Sequence, residues 1–221
     1  MTLLLAGATG LIGHAVMAQW AAAAPGDTLH ALVRRPLATV PAGVQPLLVD
    51  FSALPALPAA DAALCALGTT IKTAGSQAAF RAVDFDAVLA FARAAQAAGV
   101  RRFAVVSAVG ASARSASFYS RVKGEMEAAV TALGFETLLI ARPSLLTGDR
   151  SALGQPARPA EALGQMLMVP LGGLLPAAWR PIAGETVARA LLHTLRTAPA
   201  GVQVLDNARL HHEGHPQGHP A

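Results

Sequence analysis

The chain has 221 residues and a mass of 22.5 kDa, with 53% hydrophobic and 14% charged content: enough for one sizeable α/β domain, too little for two large ones. A formal charge of +4 and a pI near 10.2 admit nucleic acid as a partner, yet the arginines are scattered in ones and twos and aromatics reach only 5%, so no nucleic acid is expected. Cys65 is the single cysteine, which excludes an internal disulfide and points to a reducing, cytoplasmic home.

No membrane partner is expected either. Residues 1–26 contain no Asp, Glu, Lys or Arg, but they lack a basic leader and a glycine turn interrupts their apolar run, so they read as core. A second uncharged stretch, Ala162 to Trp179, approaches bilayer-spanning length, and Pro170, Gly172, Gly173 and Pro176 would break a helix there. It reads as an apolar loop or lid.

The chain opens with a buried strand, Leu3 to Ala6, running directly into Gly7-Ala8-Thr9-Gly10-Leu11-Ile12-Gly13 and then a helical pattern through Trp20. Gly7 permits the tight turn, Gly10 admits a pyrophosphate close to the backbone, and Gly13 lets the helix approach the strand. The unsatisfied N–H groups at the helix start then face the phosphates. A plain strand-to-helix turn is the competing reading of the same glycines.

Thr28 to Val33 reads as the second strand and ends in Arg34-Arg35-Pro36. In dinucleotide folds this tip meets the adenosine ribose, where a carboxylate accepts from a free 2′-hydroxyl and arginine pairs with a 2′-phosphate. No acidic residue stands here, so Arg34 and Arg35 favour NADP(H); a solvated basic turn is the alternative. Leu47 to Val49 is the third strand, followed by Asp50-Phe51, either an adenine pocket or a capping aspartate with a core phenylalanine.

A proline- and alanine-rich loop precedes the fourth strand, Ala62 to Leu67, within which Cys65 reads as a buried thiol. The strand ends at Leu67 in a small-residue tip, Gly68-Thr69-Thr70, which lets a cofactor cross the sheet edge. A helix follows over Phe80 to Ala98, then a fifth strand, Phe103 to Val106, closed by Ser107 at the carboxyl end where open sheets bind ligands.

Tyr119 and Lys123 open the next helix and, four residues apart, share one face. A phenol of pKa near 10 is a weak base at neutral pH, and a neighbouring ammonium brings it toward the working range. Ser107 could hold a carbonyl oxygen while Tyr119 delivers the proton. A surface helix pair is the bland alternative. Thr137 to Ala141 makes the sixth strand, and Pro143 fixes the backbone beyond its end, where a nicotinamide would lie.

Beyond Gly148 the pattern loosens into a cap spanning residues 149–180, with a helix candidate at Ala160 to Val169. A helix over Glu185 to Arg196 and a strand over Val202 to Leu205 complete a single domain of residues 1–206. The tail, 207–221, carries His211, His212, His215 and His219 and reads as a mobile segment rather than a metal site.

These residues resemble the short-chain dehydrogenase/reductase superfamily, and more narrowly its atypical branch that includes the Tat-interacting-protein oxidoreductases and related bacterial NAD(P)H-binding proteins. The resemblance runs from Leu3 to about Leu205 on GATGLIG, VRRP, ALGTT, VDFDAVLAFARAAQAAGVRRFAVVSAVGA, YSRVKGE and ARPSLLTGDR. It implies a Rossmann-like, doubly wound parallel sheet with a small C-terminal substrate-side region, NADP(H) as cofactor, a small-molecule substrate and, by analogy, a homodimer. Ser107, Tyr119 and Lys123 match the catalytic set, with Lys123 also bonding the nicotinamide ribose. Gly7, Thr9, Gly10, Leu11, Ile12 and Gly13 match the pyrophosphate turn. Many relatives carry asparagine where Asp84 stands, and an ionised carboxylate cannot donate as an amide does. The leading expectation is an NADP(H)-dependent oxidoreductase. A cofactor-sensing regulator docking a partner through the Ala162 to Trp179 stretch is the alternative, and a sugar-nucleotide epimerase or dehydratase would need more chain after Gly148.

Overall fold

A computed structural model of the chain describes residues 1–23, 26–148 and 176–215. In chain order they form β1 (Thr2–Ala6), α1 (Leu11–Ala23), β2 (Thr28–Val33), β3 (Val44–Leu48), β4 (Ala62–Cys65), α2 (Ile71–Ala74) and α3 (Gln77–Arg81). A π-helical turn (Ala82–Ala87) leads into α4 (Val88–Ala97), β5 (Arg102–Val106), α5 (Phe118–Thr131) and β6 (Thr137–Ala141). After the short β7 (Leu146–Thr147) come β8 (Ile182–Ala183), α6 (Gly184–Thr197), β9 (Gly201–Leu205) and α7 (Asn207–Gly214).

Leu3, Leu4, Leu5 and Ala6 are all fully buried, and a strand apolar on both faces must be covered on both, as at the centre of a parallel sheet. The seven strands run β3-β2-β1-β4-β5-β6-β9, each neighbouring pair parallel. Leu3 and Leu5 face Val16 and Trp20 of α1 and Leu191 of α6. Leu4 and Ala6 face the other layer, with Phe91 of α4 and Met126 and Val130 of α5. This is the doubly wound, Rossmann-like sheet that the sequence implies. The winding reverses between β1 and β4, and the crevice beyond their carboxyl ends is where such sheets bind ligands.

Several boundaries differ from expectation. The third strand spans Val44–Leu48 rather than Leu47 to Val49, because at the sheet edge Pro46 is tolerated and Leu48 is left 68% exposed. The expected helix from Phe80 is divided by the π-turn. The tail expected to be mobile from Asn207 is instead helical through Gly214: Asp206 caps α7 by accepting from Arg209 N, and Leu210 is fully buried. Asn207 anchors the helix start, accepting from Ser144 N and donating to the carbonyls of Ala177 and Arg180. The helix candidate Ala160 to Val169, most of the 149–180 cap and His219 lie outside the described residues. So does the Ala162 to Trp179 stretch, apart from residues 176–179.

Candidate active site

Gly7 ends β1 with φ +86°, and a Cβ there would stand 2.5 Å from the carbonyl of Ala66 just beyond β4. Only glycine fits, because the conformation is left-handed and the neighbouring backbone leaves no room. Gly13 meets a different constraint: its Cβ would lie 2.1 Å from the Gly7 carbonyl oxygen, so α1 rests directly on the turn. At Gly10 an added Cβ would meet nothing nearer than the Gly7 oxygen at 3.4 Å, so the chain's own packing does not demand a glycine there. The first N–H groups of α1 have no intrahelical partner by helix geometry, and no acidic side chain stands in the first turn.

A cleft of about 460 Å³ opens above this turn. Gly7, Thr9, Gly10, Leu11 and Ile12 form its floor, and Arg34, Leu67, Gly68 and Thr69 line it from the tips of β2 and β4. Ser107, Tyr119 and Lys123 form the facing wall, so residues from opposite ends of the sequence motif set share one cavity. Both N-terminal turn and C-terminal wall are therefore within reach of one extended ligand.

Ser107 follows β5, and its backbone N–H donates to Ala141 O at 2.7 Å. Its hydroxyl is buried without a hydrogen-bond partner among the described residues. Such a group in a cleft is a costly feature unless a ligand completes it. Tyr119 packs its ring 5.4 Å from that of Phe80, a fully buried residue of α3. Lys123 is 3% exposed; its Nζ lies 2.7 Å from Asp84 Oδ1 and donates to Val106 O at 3.4 Å. An ammonium has three N–H groups, and these contacts engage two of them. Burial opposes the Lys123 charge, but Asp84, Tyr119 and Cys65 outweigh it and hold its pKa above the ordinary value. Asp84 in turn accepts from Thr69 N at 2.8 Å, tying the tip of β4 to the π-turn.

Helix α5 is itself seated by a glycine. A Cβ at Gly124 would lie 2.1 Å from Ala113 N, so the loop before α5 rests on the turn that follows Lys123.

Five expected cofactor contacts do not line the cleft. Gly13 serves packing, as above. Arg35 is exposed and, unlike Arg34, is not among the residues lining the cleft. Asp50 Oδ1 accepts from Ser52 N at 2.8 Å and Ser52 Oγ at 2.7 Å, which makes it the capping aspartate of the alternative reading. Phe51 packs against the core layer that holds Phe91. Pro143 is buried beyond β6, its carbonyl accepting from Val109 N. Conversely, Ala79, Val83 and Leu146 line the cleft without having been expected. Ala79 belongs to α3 and Val83 to the π-turn, so no regular helical spacing marks the two as cleft neighbours.

Other features bear on partners. Among the described residues no group of three or more His, Cys, Asp or Glu could hold a metal ion, and no helix is long and apolar enough to cross a membrane.

Comparisons with known proteins bear on family and fold. The family model described as NAD(P)H-binding matches residues 7–162. Rat protein HTATIP2 is 37% identical over 175 residues, 76% of this chain and 69% of its own length. Protein FMP52, mitochondrial, of Eremothecium gossypii is 37% identical over 155 residues, 68% of each chain. Among solved structures, MoeE5 with UDP-glucose and NAD superposes with a TM-score of 0.70 at 18% identity, covering 93% of this chain and 76% of that one. The human epimerase family protein SDR39U1 with NADPH gives 0.63 at 21%, covering 95% and 77%. At those identities the structures speak to fold.

One expectation is overturned by these relatives. Several fungal ones are named mitochondrial, against the cytoplasmic home inferred from a lone cysteine. The physical reason is that Cys65 is fully buried and burial pushes its thiol up to about 12, so it is insulated from the redox state of any compartment.

Proposed function

The chain belongs to the NAD(P)H-binding family, and on that footing we propose an NADP(H)-dependent oxidoreductase acting on a small carbonyl compound or its alcohol, with Tyr119 as acid/base. The observation that carries the reading is the buried, unpartnered Ser107 hydroxyl in the cleft wall formed with Tyr119 and Lys123, facing the Gly7 turn. A bound nicotinamide supplies or accepts hydride. The Ser107 hydroxyl donates to the carbonyl oxygen and polarises it. As the carbonyl carbon gains the hydride pair, its oxygen takes the proton of Tyr119 Oη. The phenolate left behind, on the same helix face as Lys123, regains a proton from solvent.

The residues fit the cofactor. Gly10 needs no side-chain-free position for packing, which supports a ligand's backbone approach there. Arg34 lines the cleft at the tip of β2 with no acidic neighbour at that tip, which supports the 2′-phosphate of NADP(H). Leu146 of β7, the strand paired with β8, lines the cleft.

The test is NADPH consumption against a panel of small aldehydes and ketones. Tyr119→Phe is expected to abolish turnover while NADPH binding stays within about threefold, since general acid catalysis contributes about 10²–10⁴-fold. Turnover by the variant equal to wild type overturns the assignment.

A further inference from the structure

Two residues on the α3 side face two residues on α5 in step. Phe80 packs against Tyr119, and Asp84, carried by the π-turn, meets Lys123, so each member of the proposed acid pair has its own partner on the opposing element. Single wide turns of this kind recur at functional sites, where they re-aim a side chain. Asp84 is fully buried, and its carboxylate spans Lys123 Nζ and Thr69 N. It therefore faces into the site and away from solvent.

A lone ammonium beside a phenol favours the phenolate. An ammonium with a carboxylate 2.7 Å away is a dipole whose net charge is near zero, and its pull on the phenol is much weaker. We propose that Asp84 is a positioning residue that acts through Lys123: it neutralises the ammonium, keeps the Tyr119 phenol protonated in the free protein, and biases the site toward giving a proton to a carbonyl oxygen rather than taking one from an alcohol. The proposal rests on the reading of Tyr119 as acid/base, and adds a preferred direction to it. The other charged groups around the phenol do not substitute for Asp84. Cys65 of β4 stays neutral because burial pushes its thiol up to about 12. Arg81 of α3 and Glu125 of α5 pair with each other at 2.5 Å. Arg34 lines the cleft on the side of β2, across the sheet's switch point.

Tyr119 is the only tyrosine in the chain, so tyrosinate absorbance reports this one phenol. The full-length, cofactor-free protein is titrated as wild type and as Asp84→Asn, with far-UV circular dichroism recorded at each pH. The expected result is a wild-type midpoint at or above about pH 9, near the ordinary phenol value, and a midpoint at least about tenfold lower in proton affinity in Asp84→Asn. An unchanged or raised midpoint in the variant overturns the proposal. Should Asp84→Asn fail to fold, the wild-type midpoint decides, and a value below about pH 9 overturns it. The titration needs no substrate or cofactor, so its failure is distinct from failure of the turnover test with Tyr119→Phe.

Discussion

Gly13 lies so close to Gly7 that a Cβ on the first would stand 2.1 Å from the carbonyl oxygen of the second. The start of α1 and the end of β1 are thereby one rigid unit, and the helix N–H groups are aimed by it. Gly13→Ala is expected to destabilise the chain by about 3 kcal/mol, an overpacking cost, and to weaken NADPH binding at least tenfold. Gly10→Ala, whose Cβ meets only the Gly7 oxygen at 3.4 Å, is expected to cost about 1 kcal/mol or less while still weakening binding. Urea denaturation and fluorescence titration read the two effects separately, and equal stability losses in the two variants contradict the account.

The two arginines after β2 are expected to behave differently. Arg34 lines the cleft and Arg35 does not. Arg34→Ala is expected to remove most of the preference for NADPH over NADH, a loss of about 1.5–3 kcal/mol for a charge-assisted contact, while Arg35→Ala changes the ratio by less than about twofold. Comparable wild-type affinities for NADPH and NADH would undo the NADP(H) assignment.

Ser107→Ala separates stability from chemistry. Its hydroxyl is buried without a hydrogen-bond partner among the described residues, so its removal is expected to leave stability unchanged or raise it by up to about 1 kcal/mol. Turnover is expected to fall by about 10²–10³-fold through loss of carbonyl polarisation. A variant that is strongly destabilised shows that the hydroxyl serves the fold.

Alkaline pH is expected to weaken the fold through Cys65. The native thiol keeps its proton up to about 12, whereas an unfolded one releases it near 9.0. The native state therefore binds the proton more tightly, and its contribution is full below pH 9.0 and lost as pH rises toward 12. Lys123, held above 10.5 despite the opposing effect of burial, adds in the same direction at higher pH. Unfolding free energies from urea titrations between about pH 8 and pH 10.5 are expected to fall by up to ~1.4 kcal/mol per pH unit in wild type and to be nearly level in Cys65→Ala. Parallel curves contradict this.

Much of the architecture was legible because its signals are local. The apolar run Leu3 to Ala6 with Gly7 and Gly13 dictates a central strand and a closely packed helix, and the i,i+4 pair Tyr119 and Lys123 dictates a shared face. What the sequence hides is set by tertiary neighbours. Nothing local in Asp50 tells an adenine contact from an Asx turn; the Ser52 bonds decide it. Gly124 gives no sign that Ala113 will rest on it. The π-turn at Ala82–Ala87 follows from no local breaker, since no Gly or Pro occurs there, and it is this turn that carries Asp84 to Lys123. The docking of α7 depends likewise on contacts with distant carbonyls, which composition in Gly and His conceals.

Hydride transfer itself is the most direct measurement. NADPH carrying deuterium at nicotinamide C4 is incubated with the protein and the carbonyl panel, and products are analysed by mass spectrometry. Alcohol bearing one deuterium on the former carbonyl carbon is expected from wild type and absent with Tyr119→Phe. NADPH that binds tightly and yields no deuterated alcohol from any member of the panel contradicts this expectation.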